Sequence, residues 1–308
     1  MNNSQSSALG FALLAFALLS VGDAVVKSMA GMWPGTAISA LRYLLGAIGL
    51  GVVLFAREGR AGFAYPKFRW QMLRGLSVSV AAVGFFSAVQ LMPIGEATAI
   101  SFTSPMITAL LAALILKEPL RRETWIASVL AFTGVLIILR PNFGLLGWVA
   151  LLPVLSATGM AFLMIANRKV AGTGSALAMQ FNVASIGTLF LLFATIVGHV
   201  SGLSFFAVTT PSGMVLAKCA LIAVTATTAH ACLFIATTRA DAGAIAPMTY
   251  VQLLMAGVFG WVLFGERPDA LAVLGSVVIV AAGLYLWKSG KVPSEVAATD
   301  LVDARKPD

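Results

Sequence analysis

The fold is decided by two stretches of the chain: residues 85–120 read FFSAVQLMPIGEATAISFTSPMITALLAALILKEPL, and residues 233–268 read LFIATTRADAGAIAPMTYVQLLMAGVFGWVLFGERP. The two stretches align without a gap at an offset of 148 positions, which pairs Glu118 with Glu266. Both combine small residues, a proline inside an apolar run and an acidic residue near the end of that run. An internal repeat of this length predicts a duplicated architecture.

The composition around the repeat is that of a membrane protein. Apolar residues make up 59% of the 308 residues and charged residues only 10%, whereas soluble domains carry about 25% charged residues. A bilayer-spanning helix needs about 20 mostly apolar residues, and ten runs approach that length, at residues 8–29, 37–56, 71–92, 95–116, 123–140, 145–167, 174–198, 213–237, 242–264 and 269–287. Their continuity excludes a β-barrel, in which apolar and polar residues alternate. The sequence therefore predicts an all-α polytopic membrane protein with ten transmembrane helices.

The positions of lysine and arginine predict how these helices are oriented. If the amino terminus is cytoplasmic, twelve of the lysines and arginines at the span ends and in the short connecting segments fall on the cytoplasmic side and three on the other. Basic residues favour the cytoplasmic face, so both termini are expected inside. Five spans per repeat is an odd number, so the halves at residues 1–141 and 142–288 enter the membrane with opposite orientations. Residues 289–308 are expected to form a disordered cytoplasmic tail.

Two inverted five-helix repeats favour transport as the function, because secondary transporters commonly place a substrate cavity between such repeats. A duplicated structural bundle without transport is the alternative. The chain has no Walker A loop, no HExxH or GxSxG motif and no paired-cysteine metal motif, so we expect neither an enzyme nor a bound cofactor or metal. The net charge of +8 is spread through short loops and does not indicate nucleic acid binding.

The repeated segments resemble the drug/metabolite transporter superfamily in its ten-helix EamA-type branch. The resemblance extends over roughly residues 8–288 and rests on two pairs of segments: Ala97–Pro105 leading to Lys117-Glu118-Pro119, and Ala244–Gln252 leading to Gly265-Glu266-Arg267. It implies a carrier of small metabolites in the bacterial inner membrane, with a central cavity between the repeats. We expect the chain to act as a monomer or homodimer. Family members are similar to exporters of amino acids and related compounds, and to uptake carriers of vitamin or nucleoside-like solutes, including riboflavin-like and S-adenosylmethionine-like compounds. An ion channel is a further alternative, but no selectivity-filter sequence is present.

Polar residues at matched positions of the repeats are the candidate substrate ligands. On the fourth and ninth spans, respectively, they are Ser101, Thr103 and Ser104, and Thr249, Tyr250 and Gln252. Matched positions lie on opposite sides of a pseudo-twofold axis, where a cavity between inverted repeats belongs. Packing between helices through back-bonded hydroxyl groups is the alternative role.

Four charged residues lie within the spans on the predicted periplasmic side: Asp23, Lys27, Arg42 and Glu96. Asp23 and Lys27 are spaced i, i+4 on one helix face, in the order that favours an ion pair. Charges inside a membrane face protein or water, so we expect a gate or an anchor for a zwitterionic substrate. The alternatives are a structural ion pair for Asp23 with Lys27, and stabilisation of a helix amino terminus for Glu96.

Three further residues have more local interpretations. His230, in the eighth span, is a possible proton carrier or a packing histidine. Glu118 and Glu266 occur in both repeats at helix ends, which indicates a structural role.

Overall fold

The computed structural model of the chain describes residues 3–115, 117, 122–239 and 245–289, and the regular elements within them are all helical. The α-helices, numbered in chain order, are α1 (Asn3–Lys27), α2 (Gly35–Glu58), α3 (Phe68–Leu91), α4 (Ile94–Ser101), α5 (Ser104–Ile115), α6 (Arg122–Leu146), α7 (Leu152–Val170), α8 (Ala176–Val200), α9 (Gly213–Arg239), α10 (Tyr250–Phe264) and α11 (Ala270–Ser289). Short 3₁₀ helices cover Gly59–Phe63, Gly147–Leu151, Ser204–Phe206 and Ala246–Thr249. Glu118 and nearly all of the predicted tail lie outside the described residues.

These helices confirm a polytopic helical membrane protein. In the part of the chain that the structure describes, nine helical stretches are long and apolar enough to cross a bilayer, and α10 is a tenth, shorter apolar helix. Exposed leucine, valine and phenylalanine side chains cover the outside of the bundle, as expected for a surface that faces lipid tails. The sixth span begins at Val149 and not at residue 145, because α6 continues to Leu146.

The fourth span is broken, whereas the sequence predicted one continuous helix over 95–116. α4 ends at Ser101, and α5 begins at Ser104. Pro105 has no backbone N–H and its ring crowds the preceding turn, so a regular helix cannot pass through it unchanged. At the matched place in the second half, a 3₁₀ turn at Ala246–Thr249 precedes α10. Breaks in paired spans are a recurrent feature of transporter binding sites.

The main helix pairings occur between the two halves of the chain. α1 packs against α9 and α3 against α7, and these two pairings are equivalent if the halves are related by a twofold axis. α2 packs against α8 and α6 against α11, so two matched helix pairs meet across that axis. The arrangement is the one expected of a duplicated fold.

Contacts between loops group the two ends of the bundle as expected for spans that cross the membrane in alternating directions. At the end predicted to be cytoplasmic, Lys67 Nζ donates to the carbonyl of Lys169 at 2.6 Å, and Ser175 Oγ donates to a Glu58 carboxylate oxygen at 2.6 Å. At the opposite end, Trp33 Nε1 donates to the carbonyl of Thr209 at 3.0 Å. Loops assigned to one side of the membrane therefore lie together.

The pairing of α3 with α7 depends on glycine. A Cβ atom added at Gly159 would lie 2.8 Å from the carbonyl oxygen of Ser77 and 2.8 Å from the amide nitrogen of Ala81. A Cβ added at Gly84 would lie 2.8 Å from the carbonyl oxygen of Leu152. Both obstacles are backbone atoms of the facing helix, so a side chain at either position requires the helices to separate.

Gly159→Ala should therefore lower the thermal unfolding midpoint of the purified protein. Overpacking a close contact typically costs about 1–3 kcal/mol. Gly46→Ala is the matched control, because an added Cβ at Gly46 meets nothing within 4 Å and alanine favours a helix over glycine by about 1 kcal/mol. Thermal unfolding in detergent, followed by tryptophan fluorescence, measures both variants. Equal midpoints for Gly159→Ala and the wild-type protein would show that α3 and α7 can move apart without loss of stability.

Candidate functional site

A buried carboxylate joins the two halves of the protein. Asp23 lies near the end of α1 with 8% of its surface exposed, and its Oδ2 accepts a hydrogen bond from Gln252 Nε2 at 2.8 Å. Ser20, one turn before Asp23, lies with its Oγ 3.4 Å from the backbone carbonyl oxygen of Gln252. Since Gln252 is in the first turn of α10, this contact connects the first span with the ninth.

Arg42 presents a cation to the same region from α2. Its guanidinium carbon lies 5.3 Å from the ring centroid of Phe86 and 5.3 Å from that of Tyr43, the distances of cation–π contacts. Among the residues that the structure describes, neither a hydrogen-bond acceptor nor a carboxylate within ion-pair distance is found for this guanidinium. Aromatic faces stabilise a cation only in part, so most of its hydrogen-bonding capacity is available to another molecule.

Asp23 and Arg42 line one small pocket. Its walls come from α1, α2 and α3 of the first half and from α9 of the second half, where Thr225 adds a hydroxyl group. The pocket therefore combines an acid, a base and an aromatic ring in an otherwise apolar bundle.

Lys27 has a different partner from the one its spacing predicted. Its Nζ lies 2.6 Å from Glu266 Oε1 and also donates to the backbone carbonyls of Val89 at 2.9 Å and Met92 at 2.8 Å. An ammonium group has three donors, and all three are satisfied. Glu266 Oε2 accepts from the backbone N–H of Ile94 at 3.0 Å, so the carboxylate also caps the amino terminus of α4. We call Lys27, Glu266 and these three backbone groups the outer cluster.

Three of the four charged residues thus divide between two places in the structure. Lys27 belongs to the outer cluster, at the end of the bundle predicted to be periplasmic. Asp23 and Arg42 line the pocket, one turn of α1 deeper. Glu96 is buried in the first turn of α4, with 8% of its surface exposed, two residues after the Ile94 amide that Glu266 caps. The structural role predicted for Glu266 agrees with its contacts, while its ion pair with Lys27 was not predicted.

The six residues predicted to bind substrate also differ in their contacts. Gln252 contacts Asp23 directly. Tyr250 meets its repeat counterpart Phe102 edge to face, with ring centroids 5.9 Å apart, at the breaks in the fourth and ninth spans. By contrast, Ser101 Oγ donates to the carbonyl of Ala97 at 2.9 Å and Thr103 Oγ1 to that of Ile100 at 2.8 Å. These two hydroxyls stabilise local backbone at the break in the fourth span. Ser104 and Thr249 are partly exposed beside the same breaks.

His230 lies outside the set of residues that line the pocket. Its side chain is exposed, and its Nδ1 lies 2.7 Å from the carbonyl oxygen of Ala226, one turn earlier in α9. Ala226 does line the pocket, so His230 is one turn from it along the helix. Sequence reasoning missed Phe86 and Thr225, because one aromatic residue and one threonine among many in apolar runs carry no distinguishing pattern.

Comparison with known proteins identifies the family of this architecture. The sequence profile of the EamA-like transporter family matches residues 6–140 and 147–287, one match in each half. A solved crystal structure shares the fold, with a TM-score of 0.58 over 91% of this chain and 96% of that chain, at 19% sequence identity.

Curated relatives are named as transporters of different solutes. The S-adenosylmethionine uptake transporter of Rickettsia prowazekii is 26% identical over 91% of this chain and 92% of its own length. The riboflavin transporter of Rhizobium johnstonii is 30% identical over 75% of this chain and 74% of its own. The pseudopaline exporter of Pseudomonas aeruginosa is 26% identical over 91% of this chain and 95% of its own.

Proposed function

Because the chain belongs to the EamA-like transporter family, and is therefore a multi-pass membrane transporter of small molecules and not an enzyme, we propose that it exports amino acids or related metabolites by alternating access. The observation that carries the proposal is the pocket at Asp23, which is walled by both halves of the chain. A site between two halves can open to either side of the membrane when the halves rock against each other. The bacterial inner membrane is the proposed location.

The outer cluster supports alternating access through the connections that it makes. It joins the end of α1, the end of α3, the start of α4 and the segment after α10 at one end of the bundle. Those connections close that end above Asp23. For the pocket to open outward, the contacts of Lys27 must separate, and for it to open inward they can remain.

Uptake of a vitamin or nucleoside-like solute is the second candidate. The aromatic pair formed by Phe102 and Tyr250 lies at the broken spans, and aromatic rings stack favourably on flat heterocycles. Relatives named for S-adenosylmethionine uptake and for riboflavin transport support this alternative.

Counterflow in proteoliposomes tests the proposed function and separates the two candidates. Purified protein is reconstituted with unlabelled solute inside, and uptake of radiolabelled L-amino acids, S-adenosylmethionine or riboflavin is measured. Saturable counterflow of amino acids supports the proposal, and counterflow of riboflavin alone supports the second candidate. Gln252→Ala, which removes the contact with Asp23, should reduce flux, while Gly46→Ala should not. Uptake that rises linearly with solute concentration, without saturation, would indicate a channel and contradict both.

The proposed orientation predicts opposite labelling of two loops. Ala61, in the first basic loop, and Ser204, in the loop after α8, are both exposed. In intact cells, a membrane-impermeant maleimide should label Ser204→Cys and leave Ala61→Cys unlabelled, with the reverse result in inside-out vesicles. The native Cys219 and Cys232 are buried, and the unsubstituted protein is the control. Labelling of both positions from the same side would contradict the inverted topology.

A further inference from the structure

The pocket contains one cation and one anion that do not form a direct ion pair with each other. Asp23 and Arg42 both line it. Within the described part of the chain, the ion pair found at this end of the bundle joins Lys27 to Glu266 and not Asp23 to Arg42. Charged side chains inside a membrane usually pair with one another or mark the path of a substrate. Because Asp23 and Arg42 line the same pocket but lie beyond ion-pair distance of each other, the pocket has a positive wall and a negative wall.

Arg42 is suited to bind a carboxylate. A guanidinium group presents parallel N–H donors that match the two oxygens of a carboxylate. The rings of Phe86 and Tyr43 lie 5.3 Å from its central carbon, which leaves the donor edges of the plane available to a ligand. The aromatic contacts also hold the group in place before a ligand arrives.

Asp23 is suited to bind an ammonium group. Gln252 donates to Oδ2 and fixes the carboxylate, while Oδ1 has no hydrogen-bond donor among the described residues. The basic residue that local spacing assigned to Asp23 is Lys27, and Lys27 has all three donors occupied in the outer cluster. A cation for Asp23 is therefore best supplied by the ligand.

We propose that Arg42 and Asp23 are the specificity-determining pair of the pocket and select zwitterionic ligands, with Arg42 binding the carboxylate and Asp23 binding the ammonium group of an α-amino acid moiety. This inference rests on the proposed function, since it assigns the substrate class of the same site. A neutral ligand would leave both charges desolvated without a partner, so the pair acts against neutral solutes as well as in favour of zwitterions.

Ligand derivatives that lack one charge test each residue separately. The purified wild-type protein is titrated with a mixture of the twenty L-amino acids, with their methyl esters and with their N-acetyl derivatives, and binding is followed as a rise in the thermal unfolding midpoint. The methyl ester removes the carboxylate charge, and the N-acetyl group removes the ammonium charge. The free amino acids should bind at least about tenfold more tightly than either derivative, the factor expected for a charge-assisted contact.

The variants should change this discrimination one charge at a time. Arg42→Gln should bind free amino acids and methyl esters about equally and still reject the N-acetyl derivatives. Asp23→Asn should bind free amino acids and N-acetyl derivatives about equally and still reject the methyl esters. Arg57→Gln is the control, because Arg57 lies on the same helix as Arg42 but is exposed near its far end, and it should discriminate as the wild-type protein does. A purely structural role for either residue would weaken all three ligand sets together.

The outcomes distinguish failure of the proposed Arg42–Asp23 pair from failure of the proposed transport function. If Arg42→Gln and Asp23→Asn remain folded and keep the wild-type ratios, the proposed pair is overturned. Counterflow of riboflavin with no binding of amino acids also overturns it, while leaving the carrier function intact. Binding of amino acids with the expected ratios but without counterflow supports the pair and overturns the proposed function.

Discussion

Lys27→Met should strongly destabilise the folded protein. The substitution leaves the Glu266 carboxylate, whose side chain is 16% exposed, with the Ile94 amide and without its cation. Removing one partner of a buried ion pair commonly costs about 3–5 kcal/mol, because the remaining charge stays desolvated. Thermal unfolding in detergent measures the effect.

A second substitution distinguishes the ion pair from simple packing. Lys27→Met combined with Glu266→Gln removes both charges and should recover much of the lost stability, since the glutamine oxygen can still accept from Ile94. Lys218→Met is the matched control: Lys218 lies at the same end of the bundle, is partly buried and donates to the carbonyl of Ser28 at 3.2 Å. An equal loss for Lys218→Met would show that the acidic partner is unimportant. A double variant as unstable as Lys27→Met would show that the pair itself contributes little.

Asp23→Asn should lower transport at least about tenfold, which corresponds to about 1.4 kcal/mol of lost ligand or transition-state stabilisation. An asparagine oxygen can still accept the hydrogen bond from Gln252, so the contact between α1 and α10 survives and the protein should remain folded. The charge alone is lost. Counterflow of the best substrate, with the unfolding midpoint recorded on the same sample, checks both parts of the prediction.

Adding Lys27→Gln to Asp23→Asn should lower transport further and should not restore it. The two residues share a helix face. If they formed an ion pair with each other, removing both charges would leave no unpaired charge and would restore part of the transport. The structure instead pairs Lys27 with Glu266. The second substitution therefore disrupts the outer cluster, and the resulting loss of transport should add to the loss caused by Asp23→Asn. Recovery of flux in the double variant would show that Asp23 and Lys27 act as a pair. Normal transport by Asp23→Asn alone would remove Asp23 from the site.

The features that could be predicted from the sequence are those set by repetition and by the bilayer. The length of the apolar runs follows from the thickness of the membrane, and the match of residues 85–120 with 233–268 indicated the duplicated halves before any contact was known. The same alignment pointed to the region of Gln252 and Tyr250. Gln252 lies against Asp23, and Tyr250 lies against its own repeat counterpart Phe102.

The partners of the charged residues could not be predicted, because local spacing competes with distant packing. Lys27 lies four positions after Asp23, yet its acidic partner comes 239 positions after it in sequence. The capping of Ile94 by Glu266 likewise joins residues 172 positions apart. The break between α4 and α5 was missed for a different reason: Pro105 was present in the run, but hydropathy counts apolar residues and does not detect a missing backbone donor.

The pairing of helices across the two halves also constrains how the protein is made. The first half emerges with Lys27 inserted and its acidic partner still unsynthesised, and with the Gly84 face of α3 still without α7. Until residue 266 enters the membrane, Lys27 can donate to the carbonyls of Val89 and Met92 but has no acidic partner. Each half is therefore an incomplete product of translation. Two separately expressed fragments, divided near residue 144, should be degraded alone and persist when they are produced in the same cell.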